Sequence, residues 1–166
     1  MSTRALLLAL TVAVVFGFWR PDSIEPQTLD AVAHARQALD AGRVDEAIAM
    51  LEKTVTDEPT NPAALAWLGS AQVRKASTLP PAEAAGWVKR GFDTMDEAVE
   101  RFPDAFVVYA MRGITAGRVP ELFHKTDVAI GDLGRVIALK QARPQAVPDT
   151  VMPGVYLNLG LAQKKA

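Results

Sequence analysis

Leu51, Pro59 and Gly69 are separated by 8 and then 10 positions, and Met95, Pro103 and Gly113 by the same 8 and 10. The surroundings echo each other too. Glu52-Lys-x-Val-x-Asp-Glu-Pro59 is answered by Asp96-Glu-Ala-Val-Glu-Arg-Phe-Pro103, and Tyr109-x2-Arg112-Gly113 by Tyr156-x2-Leu159-Gly160. Each match is weak alone, but a shared internal spacing marks one supersecondary unit used more than once. The unit is helical. Leu29, Val32, Ala35 and Leu39 recur at helical spacing until Gly42, and Val44, Ala47, Ile48, Leu51 and Val55 form a second apolar face closed by Pro59. A third helix is predicted to begin at Asn61-Pro62, with proline at its favoured first position, and to carry Leu65, Leu68, Ala71 and Val73. Pro80-Pro81 restarts a helix near Ala82 that runs to Arg101.

Composition narrows the partners. The chain has 166 residues, one domain's worth, of which 49% are hydrophobic and 22% charged, as in folded proteins. Only 7% are aromatic, which with abundant alanine suits helix-on-helix packing better than a β-sandwich. A net charge of −1 lacks the positive excess of a nucleic-acid binder, so no nucleic acid is expected. The chain has no cysteine, which excludes disulfides, thiolate metal sites, a cysteine nucleophile and a lipidated cysteine.

The N-terminus points to a membrane. After Arg4, residues Ala5 to Trp19 form a weakly polar to apolar run. As a helix it spans about 22 Å at 1.5 Å per residue, short of the ~30 Å hydrocarbon core. Residues 1–20 therefore read as a signal peptide, or as an uncleaved signal anchor with Trp19 at the interface and Arg4 and Arg20 snorkelling. A buried first helix is the bland alternative. Residues 21–27, with two prolines, read as a linker to a helical domain over 28–166. The expected location is periplasmic or otherwise extracytoplasmic, secreted or anchored to the inner membrane.

Ala47-x3-Leu51 followed by Pro59, then Leu65-x2-Leu68-Gly69, resembles the tetratricopeptide signature, and the resemblance extends over Thr28 to Ala166. It implies an all-α fold in which antiparallel helix hairpins stack as a short right-handed α-solenoid of about three repeats plus a final helix. Gly69 and Ala47 are then small because helices cross closely there. The chain departs from the family's period of about 34 residues. Gly69 to Gly113 is 44 residues and Gly113 to Gly160 is 47, with the excess placed at Lys75 to Ala84, Gly117 to Lys125 and Ala142 to Pro153. The final helix, with Lys164 and Lys165, either caps the stack or belongs to a fragment.

Candidate chemistry is sparse. His34 is expected on the side of the first helix that faces the second, and His124 in a turn after Pro120; neither has metal-ligand spacing. Ser70 and Ser77 sit in no nucleophile elbow, and no glycine-rich phosphate loop occurs. Asp45-Glu46 and Asp96-Glu97 are explained by solvation and the helix dipole. No catalytic residue, metal or cofactor is expected, and the chain reads as a binding module, not an enzyme.

The resemblance also implies a concave groove lined by the first helix of each repeat. Aligning on Ala35, Gly69, Gly113 and Gly160 places Arg36, Ser70, Ile114 and Leu161 one residue on, and Val32, Ala66, Ala110 and Leu157 three residues before. Five residues after come Asp40, Arg74, Arg118 and Lys165. The expected groove has an apolar floor and a basic margin of Arg74, Arg118, Lys164 and Lys165, suited to a peptide or helix with apolar anchors and acidic flanks. Cations at helix C-termini are common for the dipole alone, so the margin also has a structural explanation. The lysine and asparagine clamp by which some family members hold a terminal carboxylate is absent, since Val32, Arg36, Ala66 and Ser70 stand in its places. The expected function is a non-catalytic scaffold or adaptor, exported or membrane-tethered; the alternative is a structural subunit of an envelope complex or a self-assembling oligomer.

Overall fold

Local capping chemistry sets where the helices begin and end. The computed structural model describes residues 26–166. Gly42, at φ 77°, ends the first helix in a left-handed turn that suits glycine. Its N–H donates to Leu39 O at 3.0 Å and that of Arg43 to Ala38 O at 2.8 Å, the bond pair of a Schellman cap. The Asn61 carboxamide oxygen accepts from the N–H groups of Ala63 and Ala64 at 3.0 and 3.1 Å, starting the third helix with Pro62 at its head.

Seven α-helices result among the described residues, and no strand: α1 (Pro26–Asp40), α2 (Val44–Asp57), α3 (Pro62–Ala76), α4 (Pro81–Arg101), α5 (Phe106–Arg118), α6 (Thr126–Ala142) and α7 (Met152–Lys165). Short 3-10 turns at Glu121–Phe123, Pro144–Ala146 and Asp149–Val151 occupy two of the stretches where the sequence has residues to spare. The first helix starts at Pro26, inside the segment expected to be a linker, because proline is tolerated in a helix's first turn. The apolar run from Ala5 to Trp19 lies outside the described residues. Among those described, no helix is long and apolar enough to cross a membrane.

Each helix packs on its neighbours in the chain, and α1, α3, α5 and α7 also touch in sequence. The apolar stripes read from the sequence become the core: Val32, Ala35, Leu39, Ala47, Ile48 and Leu51 are buried in one cluster between α1, α2 and α3. Leu133, Val136 and Val155 fill another between α5, α6 and α7.

The echoed spacing in the sequence has a local geometric counterpart. Glu58, Phe102 and Arg143 end α2, α4 and α6 with φ near −130° and ψ between 59° and 78°. Their N–H groups donate to Thr54, Ala98 and Leu139. Three residues after each, the N–H groups of Asn61, Ala105 and Ala146 donate back to the carbonyls of Glu58, Phe102 and Arg143. Leu51, Met95 and Val136, each seven residues or two turns earlier, are completely buried. One turn, with proline directly behind the helix end, is thus built three times (Pro59, Pro103, Pro144).

The tightest contact is the crossing of α3 on α4. A Cβ on Gly69 would lie 2.6 Å from Gly91 O, and one on Gly91 would lie 2.5 Å from Gly69 O. Met95 Cγ and Val73 Cγ2 lie as close, at 2.5 Å, but the two carbonyls are backbone and cannot give way by a rotamer change. On α5, a Cβ on Gly113 would lie 2.9 Å from Leu133 Cγ and 3.0 Å from Asp132 Cβ. Gly160, in the same register of α7, has nothing within 4 Å.

Gly69→Ala or Gly91→Ala should therefore lower stability by about 2–3 kcal/mol or more, since overpacking against backbone cannot relax by a rotamer change. Gly160→Ala should raise it by about 0.5–1 kcal/mol through helix propensity alone. Urea unfolding monitored by circular dichroism checks both signs.

Candidate functional site

An open cleft of about 510 Å3 lies between the C-terminal end of α5 and α7, lined by Gly117, Arg118, Leu157, Asn158, Leu161, Lys164 and Lys165. Leu157 and Leu161 are 64% and 53% exposed, and Tyr156 beside them is 56% exposed. Their spacing of i, i+1, i+5 puts them on the half of α7 turned away from Val155 and Ala162, which are buried. Lys165 Nζ donates to Gly117 O at 2.7 Å, tying α7 to a carbonyl in the last turn of α5. This places its cation at the cleft's rim, next to Arg118. The cleft can take an apolar side chain on its floor and a carboxylate at its basic end.

Of the candidate groove residues, Arg118, Leu157, Leu161 and Lys165 come together in this cleft, with Lys164 of the basic margin. The others do not join them. Val32, Ala66 and Ala110 are buried between helices. Residues three before a crossing glycine share its face, so the neighbouring helix covers them. Ile114 packs half-buried against the α5–α6–α7 core. Ser70 Oγ accepts from Thr115 Oγ1 at 3.0 Å, an α3–α5 tie. The Arg36 guanidinium stacks 4.9 Å from the Trp67 ring centre, joining α1 to α3. Arg74 is exposed on α3 and lies outside the cleft, as does Asp40 at the end of α1.

His34 corrects an expectation: its side chain is exposed and does not face α2. The face toward α2 belongs to Val32, Ala35, Ala38 and Leu39, and position 34 falls off that stripe. His124 stands in the expected turn, exposed and left-handed at φ 49°. Among the described residues, no three His, Cys, Asp or Glu side chains are grouped to hold a metal.

A polar network that the sequence did not announce crosses the middle of the molecule. Arg112 on α5 donates from Nε to Asp132 Oδ2 at 2.7 Å and from Nη2 to Asp132 Oδ1 at 2.9 Å, a two-pronged bond to α6. Its Nη1 reaches Asp96 Oδ1 on α4 at 2.7 Å. The Asp132 side chain is only 8% exposed and that of Arg112 18%, so water screens the pair weakly. The hydrogen bonds to Asp132 raise the Arg112 guanidinium above its ordinary value, against the opposing effect of burial. Buried Gln72 accepts from Thr94 Oγ1 at 2.7 Å, linking α3 to α4. Among the described residues, no buried side-chain polar atom lacks a partner. The signal was the position of Asp132: it follows Ala129 by three and precedes Val136 by four, on a stripe that is otherwise apolar. A carboxylate there requires a cation.

These charges are consumed in holding helices together, whereas the cations at the α5–α7 cleft face solvent. Comparison with family models, with curated proteins and with solved structures finds no match for the chain. The cleft's chemistry is therefore the ground for a functional reading.

Arg112→Ala strands Asp132 without a cation and should cost about 3 kcal/mol, while Arg112→Met with Asp132→Leu should return to within about 1 kcal/mol of the parent. Thermal unfolding of Arg112→Ala and of the double variant checks this. A raised pKa stabilises the fold fully below the unfolded-state value and loses its effect only as pH rises past the folded value. Arg112's contribution should accordingly stay constant from about pH 6 to 10.

Proposed function

We propose that this chain is a non-catalytic binding module, built of tetratricopeptide-like helix hairpins stacked as a short right-handed α-solenoid. On this reading it is exported or tethered to a membrane by residues 5–19 and acts as an adaptor that holds a peptide or helix of another protein. The thrice-built turn and the glycine crossings at Gly69 and Gly113 support the hairpin part. The single observation that carries the binding part is the α5–α7 cleft. There Leu157 and Leu161, both more than half exposed, lie beside Arg118, Lys164 and Lys165. Exposed leucines rimmed by charge of one sign suit a partner with apolar anchors and carboxylates. The apolar run from Ala5 to Trp19 supports the export part.

A second reading, a self-assembling or structural subunit, draws on the same exposed face of Tyr156, Leu157 and Leu161, which a second copy could cover. Sedimentation velocity of the full chain separates the two: a monomer at high concentration supports the adaptor, and a stable oligomer the subunit.

The tagged full-length protein should co-purify a specific partner from its own cell envelope. Arg118→Glu with Lys165→Glu should lose that partner or weaken it by about tenfold or more, because charge of the wrong sign meets the carboxylates. Arg74→Glu, outside the cleft, should retain it. An identical set of co-purifying proteins from all three forms would sink the cleft as the binding site.

A further inference from the structure

The two crossings that bury Gly69 and Gly113 share a pattern. On α3, the stripe Ala66, Gly69 and Val73 lies beneath α4: Ala66 clusters with Ala98, Gly69 meets Gly91 and Met95, and Val73 meets Gly91. On α5, Ala110, Gly113 and Gly117 lie beneath α6: Ala110 clusters with Val136, Gly113 meets Asp132 and Leu133, and Gly117 meets Ala129. In both, positions rising along the first helix meet positions falling along the second, so the covering helix runs antiparallel. The same spacing of 3 and 4 recurs on α7 as Leu157, Gly160 and Lys164. Here it is uncovered: Ala66 and Ala110 are 0% and 5% exposed, whereas Leu157 is 64% exposed, and Gly160 has no neighbour.

We infer that this stripe of α7 is the docking site for an antiparallel amphipathic helix of another polypeptide, one with a carboxylate in its first turn and small residues along its contact face. The inference rests on the binding-module reading and specifies its partner. The occupant's shape follows from the two covered stripes. Gly160 admits close backbone approach, as Gly69 does to Gly91. Leu157 stands where the other stripes have alanine, so the facing residue has to be small.

Charge fixes the occupant's chemistry. The last turn of α7 carries Lys164 and Lys165, with Arg118 across the cleft, and an antiparallel helix brings its first turn to that end. The chain already uses this pairing: Lys75 in the last turn of α3 bonds Asp45 in the first turn of α2 at 2.7 Å. The first turns of α2, α4 and α6 all hold an acid: Asp45 and Glu46, Glu83, and Asp127. A second copy fits poorly, because α7 has no acid in its own first turn and would set leucine against leucine. Its lysines would meet no carboxylate.

The probe is a labelled synthetic peptide of residues 81–101, which carries Glu83 in its first turn, Gly91 and Met95 at its crossing and Ala98 beyond. It is titrated into the full-length chain by fluorescence anisotropy. Saturable binding is expected, weakened at least about tenfold by Gly160→Leu in the chain and by Gly91→Leu in the peptide. Gly160→Leu enters open space, so its urea midpoint should not fall below the parent's. No saturation up to about 1 mM peptide, or binding indifferent to Gly160→Leu, overturns the inference. A dimer of the parent chain that Gly160→Leu dissociates overturns it in favour of a second copy. An envelope partner lost with Arg118→Glu and Lys165→Glu yet kept with Gly160→Leu leaves the binding module standing and removes the docked helix.

Discussion

The backbone-to-backbone approach of Gly69 and Gly91 sets the geometry of the whole molecule. Two helices can come this close only where neither carries a side chain, and the carbonyl of each glycine occupies the place of the other's Cβ. Once α3 and α4 are locked at that separation, Met95 can bury completely and Val73 can reach the α4 backbone. The looser crossing at Gly113 admits the side chains of Asp132 and Leu133 against it. That extra room is what allows a carboxylate near the axis of the molecule, and with it the Arg112 bridge.

The apolar architecture was legible because it depends on period alone. Val32, Ala35, Leu39, Val44, Ala47, Ile48 and Leu51 stand at helical spacing and all become buried, and the helix restart at Pro81 follows from proline chemistry. Gly69 was readable as a close crossing from its recurrence with Gly113. Gly91 was not, because the echoed spacing places no glycine at the matching point of α6, where Arg135 stands 44 residues on. The Arg112–Asp132 pair was hidden for a different reason: opposite charges 20 residues apart in sequence look like two solvated side chains until helix rotation brings them together.

The candidate cleft was legible only in part, and the glycine register explains which part. Positions three before a crossing glycine look like groove positions when one helix is considered alone. They share the glycine's face, however, so the covering helix takes Ala66 and Ala110 out of reach. Leu157 is available because its stripe on α7 lies open. Exposure of that residue is a property of what packs on α7, and no local sequence pattern encodes it. Arg74 and Arg118 occupy equivalent places in α3 and α5, yet only Arg118 finds α7 beside it to complete a cleft.

The Arg112 bridge also bears on how the molecule comes apart. One guanidinium joins α4, α5 and α6, while α1 and α7 are held by neighbours on fewer sides. Loss of either outer helix leaves the bridge intact, so openings that begin at α1 or α7 need not spread inward. The middle of the chain then serves as the last refuge of native order. Its two flanks are free to open independently, so an opening at α7 need not be felt at α1.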